Sequence, residues 1–410
     1  MDIAPPGGRK PGIPQGITVI IAGFLPILAI VAMFPAVPAL MDHFAANPDA
    51  RWKVPAMVSA PGMTIAIVAL FAGVLVDKFG RRKLLLASAF FYGVFGTAPY
   101  FLDTLDGIYV SRLALGLSEA ALLTTLNTLI ADYWDERGRR NWLTLQGLAG
   151  PFLASFVIFG SGYLASTHWN AVFLIYLIGF PITLAIWAFL YEPPSDDAAR
   201  KVLGIDAPGT DAPPFPWRQM LTIGGVTLIS SALYYVFIIN GGMVWREVGV
   251  QSSAEIGRLT SLPSLFVMAG AAIFWLLDRK GLSSRAQIAA FLTILGGGLV
   301  ILGLAPDWRW VIVGLIVQQT GAGMAVPTLI AWAQRGLPYQ HRGRGMGLWT
   351  ACFFFGQFSS PLLVNAIRGV DGSMQAAFAT AGIVGLIGAA LAFFVVARDG
   401  GSAPIVTAKA

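Results

Sequence analysis

The chain has 410 residues, of which 56% are hydrophobic and only 12% charged, with a mean hydropathy of +0.71. Soluble domains carry about 25% charged residues, so this composition excludes an ordinary water-soluble fold and points to a chain built for lipid. The net charge of +6 comes from basic residues scattered among short loops, which excludes a nucleic-acid surface and fits a membrane orientation signal; the single cysteine, Cys352, excludes a disulfide framework.

Residues 1–16 are rich in Pro and Gly and read as a cytoplasmic tail. The apolar run that follows is too long for the core of a secretory signal. A membrane-crossing helix needs about 20 mainly apolar residues. Twelve such runs are predicted, at 17–41, 54–76, 83–102, 107–131, 141–165, 169–191, 218–243, 257–277, 286–305, 309–334, 344–368 and 373–397. The first six form an N-terminal half, 17–191. The Pro- and Asp-rich stretch 192–217 reads as a cytoplasmic linker. The last six form a C-terminal half, 218–397, followed by a cytoplasmic tail, 398–410. With both termini inside, most of the 27 Lys and Arg fall on the inner side, as the positive-inside rule requires. The expected fold is therefore an all-α membrane protein with twelve transmembrane helices in two pseudo-symmetric six-helix halves. The expected location is the plasma (inner) membrane, with both termini cytoplasmic.

Between runs two and three stand Gly73 and then Asp77-Lys78-Phe79-Gly80-Arg81-Arg82-Lys83. Gly73 lets helices approach closely, and Gly80 permits a tight turn with φ > 0. The basic run holds the loop on the cytoplasmic side. The string is echoed in the second half by Asp278-Arg279-Lys280-Gly281. Arg137-Gly138-Arg139 is echoed by Arg342-Gly343-Arg344 at nearly the same separation. Such paired echoes argue for a duplicated six-span unit. The Gly-x-x-x-Asp-Lys-x-Gly-Arg-Arg string resembles the signature of the major facilitator superfamily of secondary transporters, most like its twelve-span proton-coupled exporters. That resemblance implies alternating access between two rigid halves. It also implies a gating role for Gly73, Asp77, Gly80 and Arg81, with Asp278 and Arg279 in the echo. Asp77 would accept hydrogen bonds from amides near Gly345 at the start of span eleven. The second copy has Leu282-Ser283 where the first has Arg81-Arg82, so the echo is incomplete.

Ionisable groups deep in a membrane span are expensive and are by default functional. Span four places Arg112, Gly116 and Glu119 on one helical face. Arg112 and Glu119 stand about 10 Å apart along the axis. Arg-x-x-x-Gly-x-x-x-Ala is similar to the fourth-span signature of proton-coupled drug exporters, although Leu115 and Glu119 depart from it. Glu119 and Arg112 are the candidates for proton coupling, because burial favours the protonated form of a carboxyl. The competing readings are a structural carboxyl between helices for Glu119 and a snorkelling residue for Arg112. Span five contains Gly147-Leu148-Ala149-Gly150-Pro151, similar to an antiporter element, with Pro151 expected to bend the helix. Asp42 and His43, after Pro35 and Pro38 of span one, read as solvated outer residues.

The resemblance implies a central cavity lined mainly by spans one, four, seven and ten. Near their midpoints, and those of the neighbouring spans, lie Met33, Phe34, Asn127, Phe156, Tyr234, Tyr235, Gln318, Gln319, Phe354 and Gln357. Few charges, several amides and many aromatics suit a small amphipathic organic substrate. Each of these residues could equally serve helix packing. An enzyme would need a catalytic or metal-binding cluster. His43, His168 and His341 all fall at span ends, so no enzyme activity, cofactor or metal is expected. The expected partners are a small organic substrate, protons as coupling ion and the lipid bilayer, with no nucleic acid, for a monomer. Proton-coupled export is the first reading, and proton symport importing an organic acid is the alternative.

Overall fold

The computed structural model describes residues 11–71, 80–193, 214–337 and 341–396. They form twelve consecutive helical elements: α1 Ile13–His43, α2 Ala50–Val68, α3 Arg81–Phe101, α4 Leu105–Tyr133, α5 Glu136–Thr167, α6 Ala171–Phe189, α7 Trp217–Glu247, α8 Ser253–Arg279, α9 Ser284–Gly303, α10 Trp308–Gly336, α11 Arg342–Asp371 and α12 Met374–Val395. No strand occurs among the described residues. Eleven of the helices are long and apolar enough to cross a membrane. The exception, α2, is 19 residues long and carries Arg51 and Lys53 in its first turn. The chain is an all-α, multi-pass membrane protein. Large apolar side chains such as Leu221 and Phe394 are exposed, as a lipid-facing exterior requires.

Most helices run several residues past the apolar segments that predict them. Hydropathy marks the hydrocarbon layer, whereas a helix continues until a cap satisfies its free amides. The Asp135 carboxylate accepts from the Gly138 amide at 2.8 Å and so starts α5 five residues before the predicted run. Asp307 and Thr104 cap α10 and α4 in the same way. The α1 helix begins at Ile13, inside the stretch predicted as tail, and α5 continues through Pro151.

The pseudo-repeat extends to backbone detail. Gly80 and Gly281, equivalent in the two echoed strings, adopt φ of 77° and 72°, where other residues are strained. Each half also ties its own helix ends together. Arg81, at the start of α3, pairs with Asp132 near the end of α4 at 2.6 Å. Asp278, near the end of α8, pairs with Arg335 near the end of α10. The pairs occupy related places with their charges exchanged. Gly73 and Asp77 lie outside the described residues. Arg279 stacks at 5.3 Å on Trp275 of its own helix.

The first and last described helices put both described chain ends at one end of the bundle, the terminal end. Cross-half contacts gather toward the opposite, distal end. Asp42 and His43 are exposed, as expected, and Asp42 of α1 also pairs with Arg246 of α7 at 2.6 Å, an inter-half tie. Ser155 of α5 donates to the Ser261 carbonyl of α8 at 2.7 Å. Ser59 of α2 donates to the Phe358 carbonyl of α11 at 3.3 Å.

Candidate functional site

The buried charges of α4 are held in a cluster that α6 makes possible. The first eight residues of α6, Ala171–Ile178, form a 3₁₀ helix, in which side chains three residues apart eclipse one another. Phe173 and Tyr176 therefore present their rings on one edge, and the Arg112 guanidinium lies 5.2 Å and 4.6 Å from their centroids. Arg112 also donates to the Tyr176 hydroxyl at 2.5 Å, which in turn donates to the Ala29 carbonyl of α1 at 2.6 Å. Tyr92 of α3 donates to the Leu25 carbonyl of α1 at 2.8 Å. Arg112 is 1% exposed. It is buried among α1, α4 and α6 and does not snorkel.

Glu119 is 2% exposed. One turn before it on the shared face, Gly116 lets α4 approach α2, because a Cβ there would meet the Pro61 carbonyl oxygen at 2.6 Å. Glu119 lies within electrostatic range of Arg112, Tyr92 and Tyr176 in its own half, and of Tyr235 on α7 across the seam. Its Oε1, together with Nε and Nη1 of Arg112, is buried without a protein hydrogen-bond partner. Unpaired buried polar atoms of this kind are costly, and they leave the cluster able to accept a proton, a water or a polar substrate atom.

A separate cavity of about 180 Å³ lies between the halves. From the first half come Phe34 of α1 and Pro151, Ala154 and Ile158 of α5. From the second come Tyr234 and Phe237 of α7, Thr260 of α8 and Gln319 of α10. Phe34 and Phe237 meet at 5.0 Å between ring centroids, joining the halves. Most of the wall is apolar; the polar contributions come from Tyr234, Thr260, Ser264 and Gln319, and none of the lining residues is charged. The Thr260 hydroxyl is buried without a partner.

Three of the residues predicted to line the cavity, Phe34, Tyr234 and Gln319, do so. The others are placed elsewhere. Gln318 is fully buried, turned by one helical step from Gln319, and its backbone presses on α9 at Gly298. Met33 is fully buried and Tyr235 is 7% exposed; neither is part of the cavity wall. The Tyr235 ring packs on Phe353 at 5.8 Å. Phe354 and Gln357 sit at the seam of α11 with α2, facing Gly62. Asn127 is exposed. Phe156 is 63% exposed, on a stripe with Phe152, Phe159 and Tyr163. That spacing is the outer face of α5, opposite Ala154 and Ile158. Depth alone misses Ala154 and Ile158, which share the helical face of Pro151 on α5 and follow from its phase, and Thr260, which stands on α8.

The sequence model of the Major Facilitator Superfamily matches residues 19–338 and 247–409, so the chain belongs to that family of transporters and is not an enzyme. It is 25% identical over 380 residues to a gallate transporter of Pseudomonas putida, covering 84% of this chain and 83% of the relative. It is 23% identical over 380 residues to a class C tetracycline resistance protein of Escherichia coli, covering 88% and 89%. Among solved structures, the inward open xylose transporter XylE from E. coli shares the fold with a TM-score of 0.75. That similarity is at 13% identity and covers 94% of this chain and 97% of the other.

Proposed function

We propose that this transporter moves a small, single-ring amphipathic aromatic compound by alternating access, driven by protons that load and leave at Glu119. The observation that carries this reading is the cavity between the halves, about 180 Å³ and free of charged lining residues. An apolar cavity of about 150 Å³ accommodates benzene, so one substituted ring fits and a four-ring compound does not. Tyr234, Thr260 and Gln319 supply hydrogen bonds for hydroxyl or carbonyl substituents. The gallate-transporting relative agrees with a one-ring substrate. A neutral aromatic compound crosses membranes unaided, so a cell that must keep it out needs a pump; export in exchange for protons follows. Midplane sites between repeats are where secondary transporters bind their cargo.

A second reading, import of an aromatic acid with protons, is favoured by the two Arg112 nitrogens that lack a protein partner, which suit a carboxylate. The two readings separate in proteoliposomes with an imposed pH gradient. Uncharged phenols and hydroxybenzoates are supplied in turn, and accumulation is followed in both orientations of the gradient. Movement of phenols against the proton flux supports export, and hydroxybenzoate uptake with the flux supports import. Transport of neither at any gradient, by protein that is correctly inserted, sinks the single-ring assignment.

A further inference from the structure

At the distal end of the seam between α2 and α11, two arginines from different halves lie within electrostatic range of each other. Arg51 is in the first turn of α2 and Arg368 in the last turn of α11. The two helices touch where Ser59 meets the Phe358 carbonyl. Counted from that contact, the helical rise carries Arg51 about 12 Å and Arg368 about 15 Å toward the distal end. The two side chains thus reach the same level, where their charges repel. Arg51 Nε and Nη2 are buried with no protein hydrogen-bond partner.

The surrounding acids are engaged elsewhere. Asp42 pairs with Arg246 at 2.6 Å. Asp49 and Asp106 both pair with Lys53, at 3.2 Å and 2.9 Å. Glu247 accepts from the amides of Met374 and Gln375, at 2.7 Å and 2.8 Å, at the start of α12; it acts on Arg368 only through space. Among the described side chains, no carboxylate pairs with either guanidinium group. Buried guanidinium nitrogens without a partner, such as those of Arg51, are unfavourable, and guanidinium forks match the geometry of oxyanions.

We propose that the Arg51–Arg368 seam binds a small oxyanion, a carboxylate, sulfate or phosphate group, that latches the two halves at the distal end. Each arginine belongs to a different rigid half, so opening that end separates them and dismantles the site. The anion therefore binds the distally closed state more tightly and shifts the conformational equilibrium toward it. The site shares no residue with the cavity or with the Arg112–Glu119 cluster, so it stands independently of the transported compound.

The test is thermal unfolding of the full-length protein, delipidated in detergent, titrated with sodium sulfate at fixed ionic strength. Wild type gains a saturable rise in melting temperature. Arg51→Gln and Arg368→Gln lose that response, whereas Lys53→Gln, a neighbouring cation outside the seam, keeps it. Without sulfate the two Gln variants melt at or above wild type, because each removes a like-charge repulsion; arginines that merely held the fold would give lower values. The same titration in phosphatidylcholine nanodiscs, with and without phosphatidylglycerol, identifies the source of the oxyanion. Suppression of the sulfate response by phosphatidylglycerol assigns it to a lipid phosphate, and persistence assigns it to a free anion. A response that fails to saturate, or that is equal in all four proteins, overturns the site.

Discussion

The two halves share a fold and divide their chemistry. Among the described residues the buried charged side chains are Arg81, Arg112 and Glu119, all in the first half. The second half buries only neutral polar groups, among them Thr227, Asn240, Gln318, Gln357 and Asn365. A charge in a dry interior changes its energy steeply with protonation; an amide offers fixed hydrogen bonds that do not titrate. The first half thus buries groups whose charge can change, and the second offers fixed hydrogen bonds through groups such as Gln319 and Thr260. Glu119 lies within electrostatic range of Tyr235 across the seam.

Removing the charge at Glu119 breaks this division most severely. Glu119→Gln keeps the shape of the side chain and removes its ability to carry a proton. Gradient-driven transport is expected to be abolished while substrate binding is retained. Flux in vesicles with and without a pH gradient, beside equilibrium binding, checks both. If the variant still concentrates substrate on protons alone, Glu119 is structural.

The next largest contrast lies in the mirrored ion pairs. The side chains of Arg81 and Asp132 are 8% and 20% exposed, against 45% and 35% for Arg335 and Asp278. Breaking the less exposed pair costs more than breaking the more exposed one, which contributes under about 1 kcal/mol. Asp132→Asn should therefore lower the melting temperature further than Arg335→Gln. Equal losses would mean that the halves are fastened alike at their terminal ends.

On the second half, Gln319→Ala should raise the apparent KM by up to about tenfold, the worth of one hydrogen bond. The pH profile of transport should stay where it is in wild type. A shifted profile would place proton handling in both halves.

Spans, repeat and fold were legible because lipid imposes a length of apolar sequence on every crossing helix, and because Gly80 and Gly281 mark equivalent turns. The buried charges were legible because they are rare in such segments. The cavity was only partly so. Depth along a helix follows from counting residues, but the direction a side chain faces depends on the rotation of each helix in the bundle. Gln318 and Gln319 share a depth and point to different neighbours for that reason. The clasp of Phe173 and Tyr176 around Arg112 was hidden because it depends on a 3₁₀ segment, which apolar composition does not announce.

Phe34 and Phe156 make the smallest and sharpest test of that distinction. Both are aromatic, both sit near the middle of a span, and both were equal candidates by sequence. Phe34 is 2% exposed and lines the cavity against Phe237. Replacing it with Ala removes a wall of the site, and the apparent KM should rise several-fold. Phe156 is on the outer face, where its ring meets Phe152 edge-on at 5.0 Å. In a bilayer that face trades contact with side chains for contact with equally apolar lipid tails, so truncation loses little beyond one aromatic pair, about 1 kcal/mol. Phe156→Ala should leave KM within about twofold of wild type, well under the factor of ten that 1.4 kcal/mol represents. Flux measured against substrate concentration for both variants decides the matter. A KM change in Phe156→Ala as large as that in Phe34→Ala would mean that α5 turns this face toward the substrate at another stage of the cycle, and the cavity would then have to be redrawn around both faces of that helix.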